Sequence, residues 1–304
     1  MLKRNLAFLY PFFAIVLWAG NVIVSRLSAH AIGPQAITFY RLLLAVLLMS
    51  LFVAGPAWRN RQAVWPHLGQ FVILGFLAMC LFQSLSYLAA ETTTATNMAV
   101  FTALTPLLSV GLSALLLGEP PTIGMVGGGF LSLAGLVYLV SSGTPGALLH
   151  EGVHVGDPLM LLAAVVYALY GVLLKRWNLG VTGWESTYLQ ALCALAIMFP
   201  AFLATPAPLR QLNRDTLPLI AYAGGLASVV LPFLWVRGVH QLGPNRCAVF
   251  MNLLPVLTAA GAIVMLGEPI RSYHIVGGGL ALLGVAVAQI VRRPLLRRAA
   301  LAVE

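Results

Sequence analysis

Apolar residues along this chain fall into ten long runs, separated by short polar breaks or breaks that contain Gly and Pro. Each run has about 20 residues, the length that a helix needs to cross the hydrocarbon core of a membrane. The predicted spans are 6–26, 35–55, 66–89, 95–117, 121–141, 157–177, 182–204, 216–239, 246–266 and 270–291. The pattern predicts an all-α integral membrane protein with ten transmembrane helices.

The second half of the chain repeats the first. With a shift of 149 residues, 97–120 aligns without a gap on 246–269, and ten of the 24 positions are identical. These include the LGEP motif that closes each segment, at 117–120 and at 266–269. After one inserted residue, the glycine triplet 127–129 meets the triplet 277–279. The predicted units are a first five-helix repeat at 1–143, a second at 150–292 and a basic tail at 293–304. Five is an odd number, so the second repeat enters the membrane inverted, an architecture typical of secondary transporters.

Composition agrees with a membrane protein. The chain is 60% hydrophobic and 8% charged, and its mean hydropathy is +0.94, more apolar surface than one soluble domain can bury. The three cysteines, Cys80, Cys193 and Cys247, lie in apolar runs without disulfide or metal-ligand spacing. The sequence therefore predicts no cofactor and no metal.

The basic residues indicate the orientation. The net charge of +9 is spread over the ends of spans and does not form one basic face, so we expect contact with lipid head groups and not with nucleic acid. If the N-terminus is cytoplasmic, eleven basic residues lie inside: Lys3, Arg4, Arg59, Arg61, Lys175, Arg176, Arg246, Arg292, Arg293, Arg297 and Arg298. Four lie outside: Arg26, Arg210, Arg214 and Arg271. This asymmetry predicts that both termini are cytoplasmic.

Several motifs carry a family resemblance. The paired LGEP ends, the prolines ahead of them and the W-x-x-N-x-x-x-x-R pattern at 18–26 resemble the EamA family of the drug/metabolite transporter superfamily. Within it, the chain is most similar to the YddG-type bacterial exporters of aromatic amino acids. The resemblance covers nearly the whole chain. It implies a multi-pass exporter of the bacterial inner membrane that acts as a monomer on a small-molecule substrate.

Polar and aromatic side chains at membrane depth are the candidates for substrate binding. They are Trp18, Asn21, Arg41, Gln83, Tyr87, Asn97, Phe101, Tyr167, Tyr170, Tyr188, Trp235 and Asn252. Trp18 and Asn21 share a helix face by their i, i+3 spacing, and the shift of 149 places them on Tyr167 and Tyr170. The alternative for each side chain is an interhelical hydrogen bond or an interfacial aromatic position. Arg41 either binds a substrate carboxylate or extends to the head groups.

Two mid-membrane prolines are candidates for gating. Pro106 and Pro255 remove a backbone donor and leave the carbonyl groups of Thr102 and Met251 unpaired, so helices 4 and 9 are expected to kink and flex beside the substrate path. A static kink that improves packing is the alternative. Glu119 and Glu268 follow a glycine that ends one helix, and we expect them to stabilise the start of the next helix.

The sequence favours an exporter of small amphipathic metabolites, such as aromatic or other apolar amino acids. A transporter of phosphorylated sugars or nucleotide-sugars needs several cations at depth, and Arg41 alone stands in a suitable place. An intramembrane enzyme or a sensor is the alternative from another class, but no metalloprotease or serine-hydrolase motif occurs. All eight acidic residues fall near span ends or in loops, which predicts transport without an obligatory ion partner.

Overall fold

A computed structural model describes residues 7–118, 122–144, 155–177, 179–242, 247, 250–291 and 293. In this part of the chain, nine helices are long and apolar enough to cross a membrane, and a tenth apolar helix is shorter. The helices are α1 (Leu9–Ser28), α2 (Pro34–Arg59), α3 (Arg61–Ala89), α4 (Ala95–Leu117), α5 (Ile123–Val140), α6 (Gly156–Trp177), α7 (Gly183–Ala204), α8 (Thr216–Val239), α9 (Leu254–Leu266) and α10 (Ser272–Ile290). The predicted ten-helix membrane fold is confirmed.

The two repeats have matching geometry at positions 149 residues apart. Gly118 and Gly267 both end a helix with φ of +67°, a left-handed conformation that glycine adopts without steric cost. The residues that precede α5 and α10, Thr122 and Arg271, share a φ of −104° and a ψ of 158°. The shift of 149 residues therefore continues to the start of the last helix of each repeat. The prediction of one inserted residue, which came from aligning the glycine triplets, is wrong.

Helices α5 and α10 cross in close contact. A Cβ on Gly128 would lie 2.3 Å from the carbonyl oxygen of Gly284, and a Cβ on Gly135 would lie 2.5 Å from that of Gly277. Gly277 stands 149 positions after Gly128, and Gly284 stands 149 positions after Gly135, so each contact is the repeat counterpart of the other. Between them, Ser132 Oγ donates to the carbonyl oxygen of Ala281 at 2.9 Å. Small residues are needed here because helices in lipid associate through close backbone packing.

Helices α3 and α8 each contain a stretch of π-helix. The stretches are Phe76–Leu81 and Tyr222–Val230, and they end at corresponding positions of the two repeats. A π-turn inserts a residue into the helical ladder and rotates the side chains that follow it. Both stretches face the centre of the molecule, where they contribute to the cavity described below.

Helix α4 is interrupted at Leu104, two residues before Pro106. It consists of Ala95–Ala103 and Thr105–Leu117, with the proline in the first turn of the second piece. The carbonyl oxygen of Thr102 accepts a hydrogen bond from Thr105 Oγ1 at 2.7 Å. The sequence prediction that this carbonyl is unpaired is therefore wrong, because a side chain replaces the missing backbone donor.

Pro255 occupies the equivalent place in the second repeat. It lies in the first turn of α9, directly after the single 3₁₀ turn Met251–Leu253. Both prolines therefore begin a helical piece, where their fixed φ is compatible with the helix. Their part in gating stays a prediction.

Glu268 stabilises a different helix from the one that the sequence suggested. Its carboxylate accepts hydrogen bonds from the backbone N–H groups of Ala95 at 2.9 Å and Thr96 at 3.4 Å, and from Thr96 Oγ1 at 3.3 Å. These donors form the first turn of α4, in the other repeat, where a negative charge complements the helix dipole. Glu119, its counterpart, lies outside the described residues, as does the tail 293–304 apart from Arg293.

Candidate functional site

A cavity of about 210 Å³ lies between the two repeats. Seven helices supply its lining: α1 to α4 of the first repeat and α6 to α8 of the second. Both π-stretches reach it, through Ala78 and Met79 of α3 and through Ala227 and Ser228 of α8. These four residues correspond in pairs under the shift of 149. The two π-stretches therefore bring equivalent positions of the two repeats to the cavity, whereas α4 lines it and its counterpart α9 does not.

Half of the twelve predicted binding residues line this cavity. They are Trp18, Asn21, Arg41, Gln83, Tyr167 and Tyr170. Three of them come from α1 and α2, one from α3 and two from α6. The structure thus brings together side chains that are up to about 150 positions apart in the sequence.

Arg41 is the charged side chain of the cavity lining. Only 4% of it is exposed, and its guanidinium donates to Gln83 Oε1 at 2.7 Å, to Tyr87 Oη at 3.0 Å and to Ser228 Oγ at 2.9 and 3.2 Å. Each of these acceptors is neutral, and among the described residues no carboxylate pairs with Arg41. The side chain therefore does not extend to the head groups. It is a buried cation without a counter-ion, an arrangement that is costly inside a membrane.

An aromatic wall stands on another side of the cavity. The rings of Trp18 and Tyr167 meet edge to face with centroids 6.2 Å apart, and Tyr167 lies 5.4 Å from Tyr170 and 4.7 Å from Phe82. Trp18 and Tyr167 occupy equivalent positions of the two repeats, so they meet across the boundary between the repeats. Such a wall offers an apolar surface to a ligand.

Two buried acceptor oxygens have no donor among the described residues. Asn21 Oδ1, on a lining residue, is buried and makes no hydrogen bond. Gln190 Oε1 is also buried and accepts no hydrogen bond, whereas Nε2 of the same side chain donates to Ser186 Oγ at 2.8 Å. Gln190 stands 149 positions after Arg41, so the two repeats carry a cation and a neutral amide at equivalent places. A buried acceptor without a donor is rare enough to suggest a ligand.

The other predicted residues have different surroundings. Tyr87 supports Arg41 from outside the lining, Phe101 is buried in the largest hydrophobic cluster, and Asn97 contacts Asp157 near the start of α6. Tyr188 shares a hydrogen bond of 2.9 Å with Ser50 Oγ, and Trp235 packs against a separate cluster that includes Ile15. The side chain of Asn252 lies outside the described residues.

Sequence reasoning missed several lining residues because they are small or apolar. Ser228, Thr102 and the methionines Met49, Met79, Met98 and Met160 all line the cavity. Ser228 had no usable signal, because its counterpart at the shift of 149 is Met79, which the sequence also did not single out. The methionines had none, because an apolar residue in an apolar helix does not stand out.

Comparison with known proteins identifies the family. The sequence model of the EamA-like transporter family matches twice, at residues 5–141 and 154–289. The chain is 25% identical to the uncharacterized transporter YyaM of Bacillus subtilis, over 88% of this chain and 90% of that protein. It is 26% identical to a protein of Streptantibioticus cattleyicolor named a probable terminal-alkyne amino-acid exporter, over 93% of each chain.

A crystal structure shows the same fold. It covers 95% of this chain and 99% of the other chain with a TM-score of 0.60, at 21% sequence identity. The two family matches together span most of the sequence, and both fall on the helices that surround the cavity. The chain therefore belongs to the EamA-like transporter family, within the drug/metabolite transporter superfamily.

Proposed function

We propose that this membrane transporter exports small amphipathic metabolites that carry a carboxylate, with aromatic or other apolar amino acids as the substrate class. The substrate binds in the cavity between the two repeats, which open in turn to the two sides of the membrane. The observation that carries the proposal is Arg41, a buried guanidinium at the cavity with neutral partners only.

The chemistry of Arg41 favours a carboxylate. Gln83, Tyr87 and Ser228 occupy four of its five N–H groups and fix its plane, and one N–H on Nη2 has no acceptor among the residues that the structure describes. A substrate carboxylate supplies both this acceptor and the missing negative charge. Hydrogen bonds to charged groups contribute about 1.5–3 kcal/mol each, so this contact contributes strongly to affinity.

Asn21 supports a second recognition element, an ammonium group. Its Oδ1 is buried at the cavity without a donor, and an ammonium group carries three donors. Arg41 and Asn21 together suit a zwitterion, and the wall of Trp18, Tyr167 and Tyr170 suits an apolar side chain. The cavity volume of about 210 Å³ is below the usual 300–1,000 Å³ of pockets for drug-sized ligands. An amino acid fits this size.

Other functions receive less support. A phosphorylated sugar or nucleotide-sugar carries two or more negative charges, and the cavity lining provides one cation. An intramembrane enzyme requires a nucleophile with a base or a set of metal ligands, and the cavity lining contains no histidine, cysteine or carboxylate. The relatives described above are named as transporters, and one of them is named a probable terminal-alkyne amino-acid exporter.

Counterflow in proteoliposomes tests the substrate class. Vesicles loaded with unlabelled phenylalanine are expected to accumulate labelled phenylalanine transiently, and external leucine should compete. Phenethylamine, which lacks the carboxylate, should compete at least about tenfold more weakly, since losing one hydrogen bond to a charged group costs about 1.5 kcal/mol or more. Glucose 6-phosphate should also compete more weakly, because the cavity lining offers one cation to its two negative charges. If phenethylamine and phenylalanine competed equally well, Arg41 would not be the group that binds the substrate carboxylate.

We further propose that the protein lies in the bacterial inner membrane with both termini in the cytoplasm and acts as a monomer, because one chain encloses the cavity. The charge asymmetry predicts that residue 144 is outside and residue 298 is inside. Single cysteines at these positions, in a variant without the native cysteines, should react with an impermeant maleimide from opposite sides. Thr144 is preferred to Gly143, whose φ of +87° disfavours a side chain. Reaction of both from one side would disprove the inverted arrangement.

A further inference from the structure

The small hydroxyl groups of the cavity lining are occupied within the protein. Each serine and threonine of the lining donates to a backbone carbonyl oxygen of its own helix, at 2.7–2.9 Å. These residues are Ser25, Ser86, Thr102, Thr187 and Ser228. Their hydroxyl hydrogens are therefore not available to a substrate.

The aromatic wall carries polar groups of a different kind. The indole N–H of Trp18 and the hydroxyl of Tyr167 make no hydrogen bond with any residue that the structure describes. Both rings line the cavity, and neither polar atom is enclosed in the way that Asn21 Oδ1 is. A serine hydroxyl bonds back to the preceding turn of its own helix, whereas a polar atom at the end of a large ring lies too far from that turn. Both donors therefore remain available to a ligand.

Tyr170 adds a third donor with a fixed orientation. A hydrogen bond links its hydroxyl to the side chain of Gln190. Gln190 Oε1 accepts no hydrogen bond, so the amide nitrogen is the donor of this contact, and its second hydrogen goes to Ser186 Oγ. Tyr170 Oη thus accepts from a side chain that is 1% exposed, and its own hydrogen stays available. Gln190 acts here as a positioning residue.

We propose that these three groups, called the wall donors below, form a subsite for a hydroxyl group at the far end of the substrate's aromatic ring. The wall donors are Trp18 Nε1, Tyr167 Oη and Tyr170 Oη. A phenol hydroxyl accepts two hydrogen bonds and donates one, and the oxygen of Tyr167 is free to accept. The proposal rests on the proposed function and deepens it: the cavity selects tyrosine and similar hydroxylated aromatic amino acids over phenylalanine.

A neutral polar group suits this subsite better than a charged one. The wall donors carry no charge, and the charged side chain of the lining, Arg41, lies on another side of the cavity. A second charge on the substrate would lose its hydration without gaining an opposite charge, which is costly at membrane depth. A ring without a polar group, as in phenylalanine, leaves the donors without an acceptor. A hydroxyl group avoids both costs.

Competition in the counterflow assay tests the proposal with ligands that differ at one position. Tyrosine and phenylalanine share the ammonium group, the carboxylate and the ring, so the ratio of their half-inhibition concentrations cancels the contacts of Arg41 and Asn21. Against labelled phenylalanine, tyrosine should reach half-inhibition at a concentration about 2- to 12-fold lower than unlabelled phenylalanine, the range for one hydrogen bond between neutral groups. 4-Fluorophenylalanine, which has a small substituent at the same place without a hydroxyl hydrogen, should compete like phenylalanine.

A variant with two small changes assigns the selectivity to the wall. Tyr167→Phe combined with Tyr170→Phe removes two hydroxyl groups and keeps both rings. The ratio between phenylalanine and tyrosine should fall to about one in this protein. Tyr138→Phe is the matched control, because Tyr138 lies on α5 and does not line the cavity. It should keep the wild-type ratio. The ligand comparison in the wild type needs no variant, so it decides the matter even if the double variant does not fold.

Three results would overturn the subsite. The first is equal competition by tyrosine and phenylalanine in the wild type. The second is 4-fluorophenylalanine that competes as well as tyrosine, which would mean that the cavity selects ring size. The third is a double variant with the wild-type ratio, which would mean that the two hydroxyl groups contact a part common to both amino acids. In each case phenylalanine still competes, so the proposed function stands. If neither amino acid competes, the proposed function and the subsite both fail.

Discussion

Arg41→Met is expected to reduce transport of phenylalanine in proteoliposomes by about 10- to 150-fold, because a hydrogen bond to a charged group contributes about 1.5–3 kcal/mol. The substitution removes the guanidinium that has no counter-ion and keeps an unbranched side chain of similar length. The three acceptor side chains each lose one charged partner but keep their positions on α3 and α8; they are Gln83, Tyr87 and Ser228. Arg41→Lys keeps the positive charge but not the planar set of donors, so its rate of phenylalanine transport should lie between those of the wild type and Arg41→Met.

The control for this prediction removes a charge of the same kind elsewhere. Arg237, on α8, is exposed and stacks on Phe233 with 5.2 Å from its guanidinium carbon to the ring centroid. Arg237→Met should leave phenylalanine transport within about twofold, as expected for a surface substitution of at most about 0.5 kcal/mol. Phenethylamine transport, if it occurs, should not depend on Arg41. Arg41→Met protein that is folded and transports phenylalanine like the wild type would show that the carboxylate binds elsewhere.

Gly128→Ala is expected to destabilise the protein by about 1–3 kcal/mol or more, the range for an inserted methyl group in a well-packed interface. The new Cβ would lie 2.3 Å from the carbonyl oxygen of Gly284. The obstacle is backbone, which cannot rotate aside, so α5 and α10 must move apart along their whole crossing. Thermal unfolding in detergent, followed by loss of monodisperse protein, measures the effect.

The neighbouring glycine offers a matched control with the opposite sign. A Cβ on Gly127 meets nothing within 4 Å, and Ala is favoured over Gly in a helix by about 0.8–1.0 kcal/mol. Gly127→Ala should therefore have an unchanged or higher unfolding temperature. Equal unfolding temperatures of Gly127→Ala and Gly128→Ala would show that the crossing is looser than the structure has it.

The sequence could predict the helices because their cause is local. A run of about 20 apolar residues is a helix in lipid wherever it occurs, since the backbone must satisfy its own hydrogen bonds there. The shift of 149 residues exposed the two repeats, and Gly118 and Gly267 mark equivalent helix ends in both. The hydropathy pattern does not predict the π-stretch Tyr222–Val230, because a π-turn changes the helix geometry but not the apolar character of the run.

The candidate site was predicted only in part, because helix periodicity does not tell how each helix is rotated against its neighbours. The rings of Trp18 and Tyr167 meet at the cavity, whereas Tyr188, which has the same type of side chain as Tyr167, lies in another cluster. Ser228, a residue without prominence in the sequence, contacts Arg41.

The sequence by itself determined the ten helices, the duplicated unit and its inversion, since these depend on apolar length, on similarity between the halves and on an odd number of spans. The tertiary structure alone decided that Arg41 is held by neutral groups, that Glu268 serves α4 of the other repeat, and that Asp157 is buried although it begins a helix. Hydrogen-bond partners and burial depend on which distant segments meet, and that is fixed by packing across the two repeats and not by neighbours in the chain.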